Sequence, residues 1–150
     1  MLRVLRQSPT MRDDGRMALV DHLGITVNDI TRGREQFHPV LTALGYELGV
    51  EAEGGFSWHH GDDTEIIVFA PREADSGPHV HGRVGWQHLA FAVDSREDVD
   101  RLHAVAVDAG WTVVREPKIY ERFSDTYYAS FVEEDNGIRI EFMHNPPRDA

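Results

Sequence analysis

The sequence contains no cysteine among its 150 residues. Disulfide bonds, zinc–thiolate sites, iron–sulfur clusters and thiol nucleophiles are therefore excluded, and any bound metal has to be held by histidine and carboxylate side chains. Nine histidines are available for that role. Histidine content is the one compositional feature that indicates a metal-binding or catalytic role.

Basic residues and long apolar runs are also scarce. Fifteen Lys and Arg face 26 Asp and Glu, giving a net charge of -11, whereas a surface that follows nucleic-acid phosphates needs the opposite sign. No stretch approaches the roughly 20 apolar residues of a membrane span, and the N-terminus lacks the apolar run of a secretory signal. We therefore expect a cytoplasmic protein that acts on a small-molecule substrate, with no nucleic acid and no membrane as partner.

The first 16 residues differ in kind from the rest of the chain. Four Arg and two Asp give them a local charge of +2 (4 − 2), and they have no periodic apolar pattern. We interpret residues 1–16 as a polar N-terminal extension and residues 17–150 as the folded part. That length allows one domain of ordinary size and excludes an enzyme with a separate cofactor domain.

An internal repeat indicates the architecture. The segment DHLGITV at residues 21–27 returns 66 residues later as QHLAFAV at residues 87–93, and both predict strands. A helical stretch that ends at glycine follows each segment, and three strand-like pieces follow each helix. The sequence thus predicts an α+β fold of two βαβββ modules, about residues 17–70 and 84–145, joined by a linker at residues 71–83. We expect the modules to pair into a curved eight-stranded mixed sheet around a cavity.

Strand alternation predicts which side chains share a face. In both repeat segments large apolar residues alternate with small ones, and His22 and His88 fall on the small-residue faces. In the last strand Ile140 and Phe142 form the apolar face, so Glu141 points the other way. Two histidines and a carboxylate are therefore predicted on cavity-facing walls.

The repeat, the ending DNGIRIEFM and the paired βαβββ order resemble the vicinal oxygen chelate superfamily, which includes glyoxalase I, extradiol dioxygenases and bleomycin resistance proteins. The resemblance runs from Ala18 to about Asn145 and implies a glyoxalase-like fold, commonly a homodimer. It also implies one divalent metal ion (Fe, Mn, Ni, Zn or Co) with His22, His88 and Glu141 as ligands, on the first, fifth and eighth strands. The ligands could come from one chain or from two.

Two imidazoles and a carboxylate leave positions open on an octahedral ion, where a substrate with two neighbouring oxygens can chelate. The predicted function is therefore that of a metal-dependent enzyme of lyase or isomerase type. Two alternatives stay open: an Fe(II) extradiol-type dioxygenase, and a metal-free drug-binding protein similar to the bleomycin resistance relatives.

Within this family, the resemblance implies that glyoxalase I has a fourth metal ligand, a second Glu on the fourth strand. At an offset of 73 residues Val68 aligns with Glu141, so an apolar residue stands at the position of the fourth ligand. Glu65 is an odd number of residues from Val68 and is therefore predicted on the opposite face of the strand from Val68. This departure argues against methylglyoxal isomerisation and favours the three-ligand branches of the family.

Two adjacent pairs of residues supply further candidates. In His59-His60 one imidazole has to point inward, and we take His59 as a candidate general acid or base. In Tyr127-Tyr128 one phenol has to point inward, and we take Tyr128 as the candidate catalytic residue. Arg139 shares the predicted face of Glu141 and could bind a substrate carboxylate or pair with that Glu.

Overall fold

The computed structural model describes residues 20–52, 54–61, 64–73 and 77–146, so the predicted extension at residues 1–16 lies outside the described residues. The described part forms two helices and eight strands, in the order βαβββ twice. The elements are β1 (His22–Thr26), α1 (Ile30–Ala43), β2 (Glu47–Ala52), β3 (Gly55–His59), β4 (Glu65–Phe69), β5 (Leu89–Ala92), α2 (Arg96–Asp108), β6 (Thr112–Ile119), β7 (Tyr128–Glu133) and β8 (Arg139–His144).

Each module has its own four-stranded mixed sheet. The strand orders are β1-β4-β3-β2 in the first module and β5-β8-β7-β6 in the second. In each sheet the first pair is parallel and the other two pairs are antiparallel. The predicted α+β architecture of two βαβββ modules is confirmed. The chain divides into two compact units after residue 76, inside the segment that the sequence suggests as the linker.

Both helices begin where side chains cap their free N–H groups. Asp29 accepts hydrogen bonds from the backbone N–H groups of Thr31 and Arg32 at 2.9 and 3.0 Å, and α1 begins at the next residue. The Ser95 hydroxyl accepts from the backbone N–H of Asp98 at 3.1 Å at the start of α2. Such caps stabilise a helix by about 1 kcal/mol each.

One face of each sheet is covered by the helix of the same module. In β1 Ile25 is buried, as is Val27 just beyond the strand, while His22 is exposed on the opposite face. The indole Nε1 of Trp58 donates to Nδ1 of His38 in α1 at 3.0 Å, which identifies the helix-covered face of β3. In the second module Phe142 is fully buried. We call the other face of each sheet the open face.

The sixth strand is the longest of the eight described strands. It runs from Thr112 to Ile119, and its pairing with β7 shifts register twice, between Val113 and Arg115 and between Arg115 and Lys118. Such β-bulges change which side chains share a face of a strand.

Candidate metal centre

The second module brings two of the predicted ligands together. His88 lies immediately before β5, and Glu141 lies in β8, the parallel neighbour of β5. The distance from Nε2 of His88 to Oε2 of Glu141 is 2.9 Å. The Glu141 side chain is 3% exposed and that of His88 is 32% exposed. An imidazole nitrogen and a carboxylate oxygen, both of which can bind a metal ion, thus lie side by side, and His88 remains partly exposed to solvent.

The buried Glu141 carboxylate has a second partner. The Tyr127 hydroxyl donates to its Oε1 at 2.8 Å, so each carboxylate oxygen is engaged by a different side chain. Burial raises the pKa of Glu141, and the hydrogen bond from Tyr127 and the neighbouring His88 partly oppose that rise. Burial also raises the pKa of Tyr127, and its hydrogen bond to Glu141 raises it further, so Tyr127 is a neutral donor at physiological pH.

The structure corrects the choice between the two adjacent tyrosines. The Tyr128 hydroxyl donates to Oδ1 of Asp100 in α2 at 2.8 Å, and the Arg96 guanidinium lies 5.4 Å from the centre of its ring. Tyr128 therefore faces the helix and Tyr127 faces Glu141. The physical reason is strand alternation: Phe131 pairs with Glu141, and Tyr127 lies an even number of residues from Phe131.

In the first module His22, Glu65 and His59 share the open face. The Cα register pairs His22 with Glu65 and Glu65 with His59, and residues paired across neighbouring strands point to the same side. Glu65 lies on the opposite face from Val68, as predicted, but that face is the one that carries His22, so the expectation that Val68 and not Glu65 faces the site is wrong. His22 Nδ1 contacts Oδ2 of Asp21 at 2.8 Å.

The neighbouring histidine of the pair lies elsewhere. The ring of His60 packs against that of Tyr46, just beyond α1, with 5.2 Å between the ring centres. His59 Nε2 lies 3.8 Å from Oε2 of Glu47 on the open face of the sheet. Of the two histidines, His59 is thus the one on the same face as His22.

The strand register also moves the position that corresponds to a fourth ligand. Ala90 pairs with Glu141, and its repeat counterpart Gly24 pairs with Ile67. The residue equivalent to Glu141 is therefore Ile67, at an offset of 74, whereas the alignment of Val68 with Glu141 is wrong by one residue. Val68 pairs with Ile25 on the helix-covered face and is fully buried. The corrected position is again apolar, so it holds no carboxylate.

Within the ranges that the structure describes, no group of three or more His, Asp or Glu side chains could hold a metal ion. The second module supplies the pair His88 and Glu141, and His22 belongs to the first module. Arg139 is engaged with neither of this pair, because its Nε and Nη2 donate to Oε2 of Glu133 at 3.2 and 2.9 Å. The alternative in which Arg139 pairs with Glu141 is therefore not observed.

Comparison with known proteins identifies the family of this chain. Residues 19–142 match the Glyoxalase/Bleomycin resistance protein/Dioxygenase superfamily, and the chain belongs to that superfamily. The predicted resemblance is confirmed. The superfamily includes enzymes, and its members typically bind a divalent metal ion.

Individual relatives are similar over most of their length. The uncharacterized protein YqjT of Bacillus subtilis (strain 168) is 28% identical over 123 residues, which are 81% of this chain and 95% of YqjT. A solved glyoxalase/bleomycin resistance protein from Albidiferax ferrireducens T118 has 24% identity and a TM-score of 0.69, covering 86% of this chain and all of that one. A glyoxalase-related enzyme from Fulvimarina pelagi has 18% identity and a TM-score of 0.66, over 87% and 92% of the two chains. The two structures support the fold.

No helix among the described residues is long and apolar enough to cross a membrane.

Proposed function

We propose that this protein is a divalent-metal-dependent enzyme of lyase or isomerase type, with His22, His88 and Glu141 as the metal ligands. The observation that carries the proposal is the contact of 2.9 Å between Nε2 of His88 and Oε2 of the buried Glu141. A buried carboxylate with a raised pKa is one whose charge is incompletely compensated, and a divalent cation beside it would supply the compensation. The donor set of two imidazoles and one carboxylate suits Fe, Mn, Ni, Zn or Co.

The bound ion would act as a Lewis acid on a substrate that chelates it through two neighbouring oxygens. The residues around it have the task of orienting the ligands. Tyr127 fixes one oxygen of Glu141 by its hydrogen bond and leaves the other directed to His88. Nδ1 of His88 contacts Oε1 of Gln87, and its Nε2 contacts Oε2 of Glu141. Such support of ligands by neighbouring groups is worth about 10–100-fold in metal affinity.

His59 is our candidate general acid or base. Its side chain is 27% exposed on the open face of the first module, in register with Glu65 and, through it, with His22. Imidazole side chains are the usual general acids and bases of enzymes. His59→Gln should lower kcat while leaving bound metal unchanged.

The metal content of protein purified without chelator is the primary test. We expect one divalent ion per site, with affinity that falls as the pH drops through the histidine range, since protonated imidazole cannot ligate. Metal should be lost in Glu141→Gln and in the double variant His22→Ala/His88→Ala. Stoichiometric metal retained by the double variant would refute the ligand assignment.

A homodimer is also proposed, and mixed dimers test which chain supplies each ligand. One chain carries His22→Ala and the other carries His88→Ala/Glu141→Gln. If His22 completes the site of a second copy, the mixed dimer regains one metal ion, because one site then has all three ligands. If all ligands come from one chain, the mixture binds none.

The two alternatives give different outcomes. A dioxygenase that uses Fe(II) would lose activity in air and recover it with ferrous iron. A metal-free drug-binding protein would bind its ligand equally well with or without chelator. The acidic composition suits a cationic drug, but the open face of the second module also carries the basic residues Arg115 and Lys118.

A further inference from the structure

The bulged strand β6 places two basic residues on the open face of the second module. Arg115 pairs with Phe131 and Lys118 pairs with Ala129, although three positions separate the two basic residues and only two separate their partners. In an unbroken strand residues three positions apart point to opposite faces, so the bulge is what brings both to one side. Phe131 itself pairs with Glu141.

Both cations lie over aromatic rings. The Arg115 guanidinium is 5.5 Å from the centre of the Phe131 ring and 5.9 Å from that of Tyr120, and Lys118 Nζ is 5.2 Å from that of Tyr120. The same Phe131 ring meets the imidazole of His88 edge-on, with 5.6 Å between ring centres. One aromatic side chain therefore contacts both the proposed metal ligand and the arginine.

Arg115 and Lys118 form no ion pair in the part of the chain that the structure describes. No carboxylate there lies within salt-bridge distance of Arg115 or Lys118. The acidic residue between them, Glu116, is turned to the helix side and lies 3.0 Å from Nε2 of His103 in α2. Arg115 and Lys118 thus place positive charge on the open face of a protein whose net charge is -11, and Arg115 also acts electrostatically on Glu141.

A third polar group lies at this place. Tyr120 is 7% exposed and its buried hydroxyl forms no close hydrogen bond among the described residues, although the Arg115 side chain near it opposes the rise of its pKa that burial causes. Its ring packs against Phe131 with 5.7 Å between centres. Burying a hydroxyl without a hydrogen bond costs free energy, and a ligand that bonds to the Tyr120 hydroxyl would offset that cost.

We propose that Arg115, Lys118 and Tyr120 form an anion subsite, and that the substrate carries a carboxylate or phosphate group besides its two chelating oxygens. The inference rests on the proposed function for the chelating half of the substrate. From β8 to β6 is two strand spacings, about 10 Å between backbones, and the long Arg115 side chain shortens the gap to Glu141. The substrate is therefore a small anionic molecule whose charged group lies a few bonds from its vicinal oxygens.

Two matched probes test the subsite on the metal-loaded protein. The first is 3,4-dihydroxybenzoate, and the second is its uncharged analogue 3,4-dihydroxybenzamide, which presents the same vicinal oxygens. Titration calorimetry on the Mn(II)-loaded wild type should show about tenfold tighter binding of the benzoate, the gain expected for one charge-assisted hydrogen bond partly exposed to water. Arg115→Gln, and more fully Arg115→Gln/Lys118→Gln, should reduce that ratio to about one without weakening the benzamide.

Arg139→Gln is the matched control, because Arg139 lies on the same face but is engaged by Glu133. Its benzoate-to-benzamide ratio should equal that of the wild type. Equal binding of the two probes to the wild type would overturn the subsite while leaving the metal function in place.

A further titration separates this inference from the metal function. If neither probe binds the metal-loaded protein, the proposed chelation fails, and inorganic phosphate titrated into metal-free protein at constant ionic strength then decides the subsite. Phosphate binding that is lost in Arg115→Gln and weakened in Tyr120→Phe supports it. Phosphate binding that is absent, or indifferent to both changes, contradicts it.

Discussion

Ile67 and Val68 are neighbours on β4 that face opposite sides of one sheet, and they allow a direct test of the register. Ile67 pairs with Gly24 and corresponds to Glu141, whereas Val68 pairs with Ile25 under the helix. Both side chains are buried, with exposed fractions of 4% and 0%. Ile67→Glu should therefore add a carboxylate to the proposed metal ligands, while Val68→Glu should place one in the apolar core.

The cost of each carboxylate without metal follows from its burial. A buried Glu avoids its charge by taking up a proton, and keeping it protonated at pH 7 against an ordinary pKa of about 4.3 costs about 3.7 kcal/mol, at 1.36 kcal/mol per unit. In a chain of this length about 2–4 °C of Tm is lost per kcal/mol, so each variant should melt roughly 10 °C below the wild type in the presence of chelator.

Divalent metal should separate the two variants. Saturation of a site at 100 times its dissociation constant stabilises the folded state by about 2.7 kcal/mol, and a fourth oxygen ligand tightens the site further. Ile67→Glu should therefore recover more Tm than the wild type gains when Ni(II), Mn(II) or Zn(II) is added, and Val68→Glu should gain no more than the wild type. Thermal melts of chelator-treated protein measure this directly.

A neutral variant controls for the change of shape. Ile67→Gln occupies nearly the same volume as the Glu variant, and we expect no extra metal response from it. Metal-dependent rescue of Val68→Glu, or a response of Ile67→Glu no larger than that of Ile67→Gln, would refute the assignment of Ile67 as the counterpart of Glu141.

Three further predictions rest on other parts of the molecule. Tyr127→Phe should weaken metal affinity by about 10–100-fold, because it frees one oxygen of Glu141, whereas Tyr128→Phe should leave metal affinity unchanged and cost about 1 kcal/mol of stability in urea titrations. Burial raises the pKa of Glu134, so the folded state holds the proton more tightly; its stabilising contribution is complete below the unfolded pKa and is lost as the pH rises through the folded value. The stability of Glu134→Gln relative to wild type should therefore improve between pH 4 and the raised folded pKa, and a flat difference in urea titrations across that range would contradict this. A chain that begins at Met17 should keep the Tm and metal content of the full chain, and loss of folding would show that residues 1–16 are structural.

The local features of the fold could be predicted from the sequence because they depend on neighbouring residues. The repeat at residues 21–27 and 87–93 identifies equivalent strands without any knowledge of their pairing. Asp29 and Ser95 mark the helix starts through bonds to N–H groups two and three residues away. The alternation that separates His22 from Ile25 in β1 is likewise a property of one strand, and the structure has the same alternation.

The candidate site could be predicted only in part. The alternation of β8 directs Glu141 away from Ile140 and Phe142, and the structure places it beside His88. The equivalent residue of β4 was missed, because hydrophobic residues at three consecutive positions, 66 to 68, fit either of two registers equally well. A slip of one residue then exchanges the two faces of the strand.

The sequence by itself determined the family, the two modules and the residue types of the site, since repeat spacing and alternation within a strand are local properties. Tertiary structure alone decided that Ile67 is the counterpart of Glu141, that Tyr127 contacts it, and that Arg115 and Lys118 share its face. Each of these depends on the register of hydrogen bonds between strands, which the alternation within one strand does not determine. A bulge or a shift of one residue in those bonds moves a side chain to the other side of the sheet while the sequence pattern stays the same.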